Sequence, residues 1–420
     1  MIVKNKAILD ELKRSVIYEV NIRQYTPEGS FKAFSSHLPR LKAMGVDIIW
    51  LMPIHPIGKI NRKGTLGSYY SISDHQDINP EFGNKEDFGK LVQEIHALGM
   101  KIIIDWVANH AAWDHVWTET QPEYFVKEAD GRFHSPYDWT DVIQLDHQNR
   151  AAHEAMRAAM CYWVSEFDID GFRADLAHLT PLHYWKQARQ ECEMIKPGLI
   201  WLAETEDAAF YEAFDIVYAW KWMHTTEHFC RNQESVSQLT NILFEQNKDY
   251  PEDALQLYFT SNHDENSWNG TEFEKYGAYA HLLTIFSMFY PSAVPLIYSG
   301  QEIPNRKRLA FFEKDALDWN QSCDDEIFFR NLISLRKQDW SKAEYEPLNI
   351  ANRVFAFRLS SNQRQLMVML NFGQEGVAVQ LNDFNDEREF CDIISREYFT
   401  SSEDQILVLP GAGYKLLLSK

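Results

Sequence analysis

Four short apolar runs of this sequence each end in a polar cluster that contains a carboxylate. The terminal acids are Asp105, Asp175, Glu204 and Asp264. The basic side chains beside them are His110, Arg173 and His263. Acids at the carboxyl ends of separate strands are the arrangement from which a (β/α)8 barrel assembles an active site. Two carboxylates that face each other are suited to breaking a glycosidic bond, so the pattern predicts acid–base and nucleophilic chemistry on a sugar.

The segment 171–175 gives the sharpest of these signals. Arg173 and Asp175 are two residues apart on a predicted strand, so both side chains leave the same face and are expected to touch. A guanidinium lowers the pKa of a neighbouring carboxyl group and keeps it ionised, as a nucleophile requires. A structural ion pair inside the barrel is the alternative interpretation of these two residues alone.

Glu204 and Asp264 are candidates for the remaining carboxylate roles. A general acid has to hold its proton at the working pH, and burial or the nearby Glu206 favours this for Glu204. Taken singly, Glu204 also fits an ordinary glutamate at a strand end, and His110 fits a core histidine. The prediction therefore depends on the set of residues and on no single member.

A strand-then-helix alternation must position these residues, and it predicts a parallel sheet. The predicted strands are 16–20, 46–51, 101–106, 170–175, 199–204, 215–218, 255–261 and 294–298. The predicted helices are 34–44, 86–98, 151–167, 182–195 and 327–337. This order is typical of a (β/α)8 barrel, the TIM barrel fold of the α/β class.

Two segments depart from the alternation. Residues 111–146 are rich in Trp, His, Asp and Tyr without a clear period, which predicts a short inserted loop domain after the third strand. Residues 345–420 contain alternating, strand-like runs separated by turn residues, which predict an antiparallel C-terminal β-sandwich domain. The barrel is then expected to comprise residues 1–110 and 147–344.

Composition restricts the partners and the compartment. A net charge of −20 argues against binding to nucleic acid and to an anionic membrane surface. The first eleven residues lack the apolar core of a signal peptide, and no run approaches the length of a membrane span. Five scattered cysteines form no metal-binding or redox motif, so we expect free thiols in a cytoplasmic protein. They are Cys161, Cys192, Cys230, Cys323 and Cys391.

Together these segments resemble the α-amylase family of retaining α-glycoside hydrolases, from about Tyr18 to the C-terminal β-domain. The family's first segment is similar to 105–110 (DWVANH), its second to 171–175 (GFRAD), its third to 203–205 (AET) and its fourth to 262–264 (NHD). The order and spacing of the four segments agree with the family. Residues 68–80 and 144–146 resemble two further segments.

The resemblance implies a role for each matched residue. Asp175 is expected to be the nucleophile, Glu204 the acid/base and Asp264 the carboxylate that stabilises the transition state. The expected substrate-binding residues are Tyr70, Asp105, His110, Arg173, His178 and His263. Of these, Tyr70 resembles the family's tyrosine that stacks beneath a sugar ring.

The match departs from the family after the nucleophile. His178 and Leu179 occupy positions where calcium-dependent members carry a Lys-His pair. We therefore expect that no cofactor is required, although calcium is possible, with Asn109 as a candidate ligand. Further oxygen donors in the insert are Asp114, Asp130, Asp138 and Asp141.

The expected activity is hydrolysis of α-1,4-glucosidic bonds in α-glucans or malto-oligosaccharides through a covalent glycosyl-enzyme. A glucanotransferase, or an α-1,6- or sucrose-specific enzyme, would use the same three carboxylates and stays open as an alternative. A non-catalytic barrel that serves as a scaffold has no reason to keep the whole set. Chain-length preference, endo or exo action and oligomeric state cannot be predicted from these residues.

Overall fold

The fold is described from a computed structural model, which describes residues 6–232, 234–320, 324–338, 340, 342–361, 364–380, 389–400 and 406–419. The helices are α1 (Lys6–Leu12), α2 (Ile22–Tyr25), α3 (Phe31–Ser35), α4 (Leu38–Met44), α5 (Lys85–Ala97), α6 (Val116–Thr120), α7 (Arg150–Phe167), α8 (Leu182–Ile195), α9 (Trp220–Asn232), α10 (Ser237–Asp249), α11 (Glu272–Tyr276), α12 (Ala280–Phe289) and α13 (Asp324–Arg336). The strands are β1 (Ile17–Val20), β2 (Ile48–Leu51), β3 (Lys101–Trp106), β4 (His110–Ala112), β5 (Val142–Gln144), β6 (Gly171–Ala174), β7 (Ile200–Ala203), β8 (Ile216–Tyr218), β9 (Leu255–Tyr258), β10 (Ala293–Tyr298), β11 (Glu344–Leu348), β12 (Val354–Ser360), β13 (Gln365–Asn371), β14 (Val377–Gln380), β15 (Glu389–Asp392), β16 (Tyr398–Thr400), β17 (Ile406–Leu409) and β18 (Tyr414–Ser419).

Eight parallel strands close a barrel in the order β1-β10-β9-β8-β7-β6-β3-β2, which confirms the predicted fold class. Side chains of alternate strand residues fill the barrel interior, among them Ile48, Trp50 and Leu202. Leu9 and Leu12 of α1 pack against this interior cluster. The intervening strand residues face outward, where the helices cover them, as the two-residue period of a strand requires.

The seam between the last and first barrel strands is joined by Arg336, at the end of α13. Its buried guanidinium donates to the backbone carbonyl oxygens of Lys13 and Ser15, just before β1. It also donates to the carbonyl oxygens of Met288 and of Ala293, the first residue of β10. One side chain therefore ties the closing helix to both strands at the seam.

Local signals explain where several of the helices begin and end. Asn84 caps α5 because its side chain accepts from the backbone N–H groups of Glu86 and Asp87. In return, the Asp87 carboxylate accepts from the backbone N–H of Asn84. The helix predicted over 34–44 is wrong as a single element, because the chain forms α3 and α4 with a break between them. Pro39 lies in the first turn of α4, where its missing N–H is tolerated, and Gly45 ends that helix at a φ of 106°.

The insert after β3 is more ordered than its lack of period suggests. Its flanks pair as the antiparallel ribbon β4–β5, and α6 lies between them. The ribbon begins at His110, so the element that crosses into the insert starts with a candidate site residue.

After the barrel, the chain forms an antiparallel sheet in the order β11-β12-β13-β18-β15-β16 and a separate pair, β14–β17. Phe355 and Phe357 on one face of the large sheet join the barrel core, whereas Ala356 and Met367 on the other face pack toward the pair. Two of the strand-like runs predicted within 345–420 correspond to β14 and β17, and the adjoining residues 381 and 405 lie outside the described part of the chain.

Candidate active site

The three candidate carboxylates line one cavity of about 320 Å³. Asp175 directly follows β6, Glu204 directly follows β7, and Asp264 lies in the turn after β9. Strand ends of a closed barrel meet on one face, so residues far apart in sequence come together there. Tyr70, His110, Leu176 and Trp139 line the same cavity; the other lining residues are Lys63, Ser68, Asp141, Val142, Trp268, Phe311 and Phe312.

Arg173 lies beneath this cavity and holds the carboxylates together. Its Nη1 lies 3.1 Å from Asp175 Oδ1 and 2.9 Å from Asp105 Oδ1. Its Nη2 lies 2.9 Å from Glu204 Oε2. A single guanidinium thus bridges the residues predicted to be nucleophile and acid, and the contact expected from the two-residue spacing of Arg173 and Asp175 is present.

The electrostatic balance at Asp175 differs from the expectation. Burial raises the pKa of Asp175 well above its usual range; Arg173 lowers it, and Glu204 and Asp105 raise it further. The prediction of a lowered pKa is therefore wrong in its net direction, because desolvation of the carboxylate outweighs one cation that several acids share. Asp175 Oδ2 is buried without a hydrogen-bond partner, in a residue that lines the cavity.

A second charged cluster lies beside Asp264 and contains His263. Its Nδ1 lies 2.5 Å from Glu19 Oε1, and its Nε2 lies 3.3 Å from Asp264 Oδ2. Burial alone would lower the pKa of His263, but the carboxylates of Asp264 and Glu19 outweigh it and raise the pKa to about 9. The imidazolium can donate through Nε2 to the Tyr70 hydroxyl oxygen at 2.7 Å, and Tyr70 donates to Asp105 at 3.0 Å.

His110 is a different kind of histidine. It is buried at the cavity wall, and its ring lies 5.5 Å from the Trp139 ring in an edge-on contact. Burial, together with a smaller effect of His75, lowers the pKa of His110 to about 3. A neutral imidazole carries one donor and one acceptor, which suits a sugar hydroxyl.

Backbone strain occurs next to the predicted nucleophile. Leu176 has a φ of 40°, which a residue with a side chain seldom adopts. In this conformation its N–H donates to Glu204 Oε2 at 2.8 Å. The strained residue thus orients the carboxyl group that is predicted to be the acid.

The remaining predicted residues lie in different places relative to the cavity. Asp105 and His263 are buried beneath the lining and contact Arg173 or Asp264, not the cavity itself. His178 is exposed on the short turn Ala177–Leu179 and is not among the lining residues. Asn109 is buried, with its side-chain nitrogen 3.4 Å from His110 Nδ1. Among the described residues, no group of three His, Cys, Asp or Glu side chains is placed to hold a metal ion.

Several cavity residues carried no signal in the sequence. Lys63 comes from an irregular loop, Trp268 from the short π-helix Glu265–Asn269, and Phe311 and Phe312 follow β10 in a segment without a period. Glu19, the partner of His263, lies inside β1 and resembles no catalytic motif. The available signal was that Glu19 is the only acidic residue in this buried apolar strand.

Comparison with known proteins agrees with this geometry. Residues 10–139 and 121–343 match the model of the alpha amylase catalytic domain family. The chain belongs to the alpha amylase family.

Two solved structures of this family match over almost the whole chain. An alpha-amylase from Lactobacillus plantarum is 28% identical with a TM-score of 0.88, and the match covers 97% of this chain and 99% of the other. The maltogenic alpha-amylase AmyB from Thermotoga neapolitana is 30% identical with the same TM-score and the same coverage. Alpha-amylase MalA from Haloarcula japonica is 25% identical over 93% of this chain, which spans 59% of that relative's length.

A membrane-spanning helix is not found among the described helices of this alpha amylase family member, since none combines the necessary length and apolar character.

Proposed function

We propose that this protein is a retaining glycoside hydrolase that cleaves α-1,4-glucosidic bonds in α-glucans or malto-oligosaccharides. The observation that carries the proposal is the bridge made by Arg173 between Asp175 and Glu204 in a cavity that also holds Asp264. Two carboxylates that contact the same guanidinium suit the retaining reaction, in which one attacks carbon while the other transfers a proton. The alpha-amylases to which the chain is similar support the choice of α-glucan.

The proposed reaction assigns one step to each acid. Asp175 Oδ2 attacks the anomeric carbon while Glu204 gives its proton to the departing glycosidic oxygen, which forms a covalent glycosyl-enzyme. Glu204 then takes a proton from water, whose oxygen attacks the same carbon and releases Asp175. Asp264 and its imidazolium partner His263 form a preorganised charge pair beside the cationic transition state.

The surrounding side chains bind and orient the sugar in this proposal. Tyr70 lines the cavity and offers its ring to a sugar face, while its hydroxyl is held by Asp105 and His263. His110 is placed to contact a hydroxyl group. Asp105 and Arg173 act from below as positioning residues, because their contacts are to other side chains. We propose no substrate role for the exposed His178.

The same proposal divides the chain into a catalytic barrel (1–110 and 147–344), an insert (111–146) and a C-terminal β-domain (345–420). The sheet order supports this division, although β11 begins one residue before the last boundary. We also propose a cytoplasmic location, which the free thiols of Cys161, Cys192, Cys230 and Cys391 support; Cys323 lies outside the described residues.

Product analysis on maltoheptaose tests the function. Proton NMR during the first turnovers should show shorter malto-oligosaccharides released as the α-anomer, because two inversions at one carbon retain its configuration. Products longer than maltoheptaose would indicate transfer to a sugar hydroxyl as the main reaction. Release of the β-anomer, or no cleavage of any α-glucan, would contradict the proposal.

A further inference from the structure

The loop 57–67, which follows β2, is tied to the loops on both sides of it. On one side, the Lys59 N–H donates to both carboxylate oxygens of Asp114 in the insert, at 3.1 and 2.8 Å. On the other side, the Thr65 N–H donates to Glu313 Oε1 at 2.9 Å, in the segment after β10. The loop thus runs along the rim of the barrel from the end of β10, past β1, to the end of β3.

Within this loop, Lys63 forms an ion pair with Asp141 at the cavity itself. Lys63 Nζ lies 2.9 Å from Asp141 Oδ1, and both residues line the cavity. The Asp141 side chain is only 7% exposed, and its backbone carbonyl accepts from Ser71 Oγ at 2.8 Å. The pair joins two neighbouring loops, and because the Lys63 side chain is 36% exposed, this bridge lies at the solvent edge of the cavity.

The closed part of the rim lies on one side of the reacting groups. Tyr70 belongs to the same connection as the loop 57–67, and His110 and Trp139 belong to the insert that this loop contacts. Glu204 lies across the cavity, after β7, whereas the Trp268 ring contacts Phe311 and Phe312 in the segment after β10. His178, on the turn Ala177–Leu179 after β6, is exposed, so the rim beside Glu204 faces solvent.

The proposed reaction places the leaving sugar on the open side of the cavity and the sugar that is attached to Asp175 on the closed side. The leaving group departs toward Glu204, on the open side, because this residue protonates the departing oxygen. The ring that becomes attached to Asp175 lies over Tyr70, on the closed side. In an α-1,4-glucan this ring belongs to the non-reducing part of the chain, so the closed side limits how many rings extend in that direction.

We infer that the Lys63–Asp141 ion pair closes this end of the cavity and restricts the enzyme to the non-reducing ends of α-glucans. The inference rests on the proposed function and adds exo action with release of a short oligosaccharide. The cavity volume agrees, since about 320 Å³ lies at the lower end of the roughly 300–1,000 Å³ of ligand pockets. Lys63 and Asp141 are then specificity-determining residues of the site.

The experiment compares maltoheptaose with the same oligosaccharide carrying an ethylidene group on its non-reducing terminal ring. The wild-type enzyme should cleave the free substrate at least about 100-fold faster by kcat/KM, because a blocked end cannot occupy the closed site. Lys63→Ala and Asp141→Asn should each reduce the ratio of kcat/KM on the free substrate to kcat/KM on the blocked substrate at least about tenfold, because the broken ion pair lets longer segments pass. Lys59→Ala, an exposed residue of the same loop that is absent from the cavity lining, is the matched control and should leave the ratio unchanged.

Equal rates of the wild-type enzyme on the two substrates would overturn the inference while leaving the proposed function in place. An unchanged ratio in both Lys63→Ala and Asp141→Asn would overturn the assignment to this ion pair. No cleavage of either substrate would instead refute the proposed function. Circular dichroism melting of each variant separates a change of specificity from a loss of fold.

Discussion

Arg173 shows how one residue sets the arrangement of a multi-acid site. A buried guanidinium has a fixed planar set of donors, so carboxylates that pair with it are held in a fixed relation to each other. Here Asp105 within β3, Asp175 after β6 and Glu204 after β7 all contact it. The same contacts leave one buried oxygen of Asp175 without a hydrogen-bond partner, and the candidate nucleophile is thus oriented from below at the wall of the cavity.

Asp175→Asn should therefore abolish turnover and leave the fold intact. An amide is nearly the same size and can stay beside Arg173, but it cannot attack the anomeric carbon. We expect kcat on maltotriose to fall to less than about a hundredth of the wild-type value. Binding of maltotriose, followed by calorimetry, should persist. A variant with near-normal kcat would exclude Asp175 from the nucleophilic role.

Glu204→Gln should affect substrates according to their leaving group. Cleavage of maltotriose requires protonation of the departing oxygen, and we expect a loss of about 10²–10⁴-fold, the range for general acid–base catalysis. α-Maltosyl fluoride releases fluoride without a proton, so its first step should be nearly unaffected. Pre-steady-state release of fluoride is the measurement. Equal losses on the two substrates would indicate that Glu204 only positions other groups.

The residues of the candidate site could be predicted where they lie in short sequence segments with recognisable residue types and spacing. Asp175, Glu204 and Asp264 stand in such segments, and the structure brings all three to one cavity. Lys63 and Trp268 could not be predicted, because their position depends on contacts between loops that are distant in sequence. The net pKa direction at Asp175 was also not predictable, since it depends on burial and on how many acids share one cation.

At the scale of elements, the close approach of β6 and β7 determines where Arg173 and Glu204 lie. Gly171 begins β6 and pairs with Ile200 of β7. Its φ is 152°, and a Cβ there would lie 2.0 Å from the Ile200 carbonyl oxygen. The strand pair that carries the site therefore depends on the absence of a side chain at this position.

Gly171→Ala should destabilise the protein by about 2–5 kcal/mol, from overpacking and from backbone strain together. Urea unfolding followed by circular dichroism is the measurement. Gly89→Ala is the matched control: this glycine lies inside α5, and the nearest atom to an added Cβ is 3.8 Å away on Phe167. The control should be neutral or gain about 0.5–1 kcal/mol from helix propensity. A Gly171→Ala variant as stable as this control would contradict the packing argument.

The barrel strands were predictable because each is a short apolar run bounded by turn residues, and their two-residue period survives in the structure. The helix α12 was not predicted, since it is buried on all sides and shows no amphipathic period. The break between α3 and α4 was missed for a related reason, because apolar spacing continues through it. Hydrophobic periodicity alone therefore does not predict the bounds of a helix when the helix is buried on all sides or when the apolar spacing continues into its neighbour.

The insert provides a prediction about metal removal. Three of the four aspartates named above as oxygen donors have protein partners: Asp114 accepts from the Lys59 backbone, Asp130 pairs with Arg132, and Asp141 pairs with Lys63. A hard cation needs about six to eight oxygen ligands, and these bonds compete with it. EDTA should therefore change activity and melting temperature little. A fall of several degrees that calcium reverses would show that the insert holds a stabilising ion.

At the scale of the whole molecule, two kinds of buried histidine limit stability at opposite ends of the pH range. Burial lowers the pKa of His55 to about 3 and that of His75 to about 4, whereas the acids around His263 raise its pKa to about 9. For the first two, the unfolded chain binds a proton below about pH 6.5 and the folded chain does not, so their contribution to stability is lost as pH falls. For His263 the folded state keeps the proton, and its contribution is lost as pH rises from about 6.5 through 9.

The free energy of unfolding, measured with urea from pH 4 to 10, should therefore show both effects. His75→Gln should flatten the acidic side by up to about 1.4 kcal/mol per pH unit, because one proton is then no longer taken up on unfolding. His263→Gln should flatten the alkaline side in the same way. Variants with the pH dependence of the wild type would show that other groups govern these limits.

The bonds of Arg336 to the carbonyls of Ser15 and Lys13 have a consequence for how the protein is made. These partners lie 321 and 323 positions earlier in the chain, so the seam cannot be secured before the last helix has left the ribosome. At about 5–20 residues per second, the first strand waits on the order of tens of seconds for its final neighbour. During that time its free edge is a template for pairing with other nascent chains. Synthesis of this fold thus carries a risk of aggregation in its early products, and a chaperone that shields the amino-terminal strands would raise the yield.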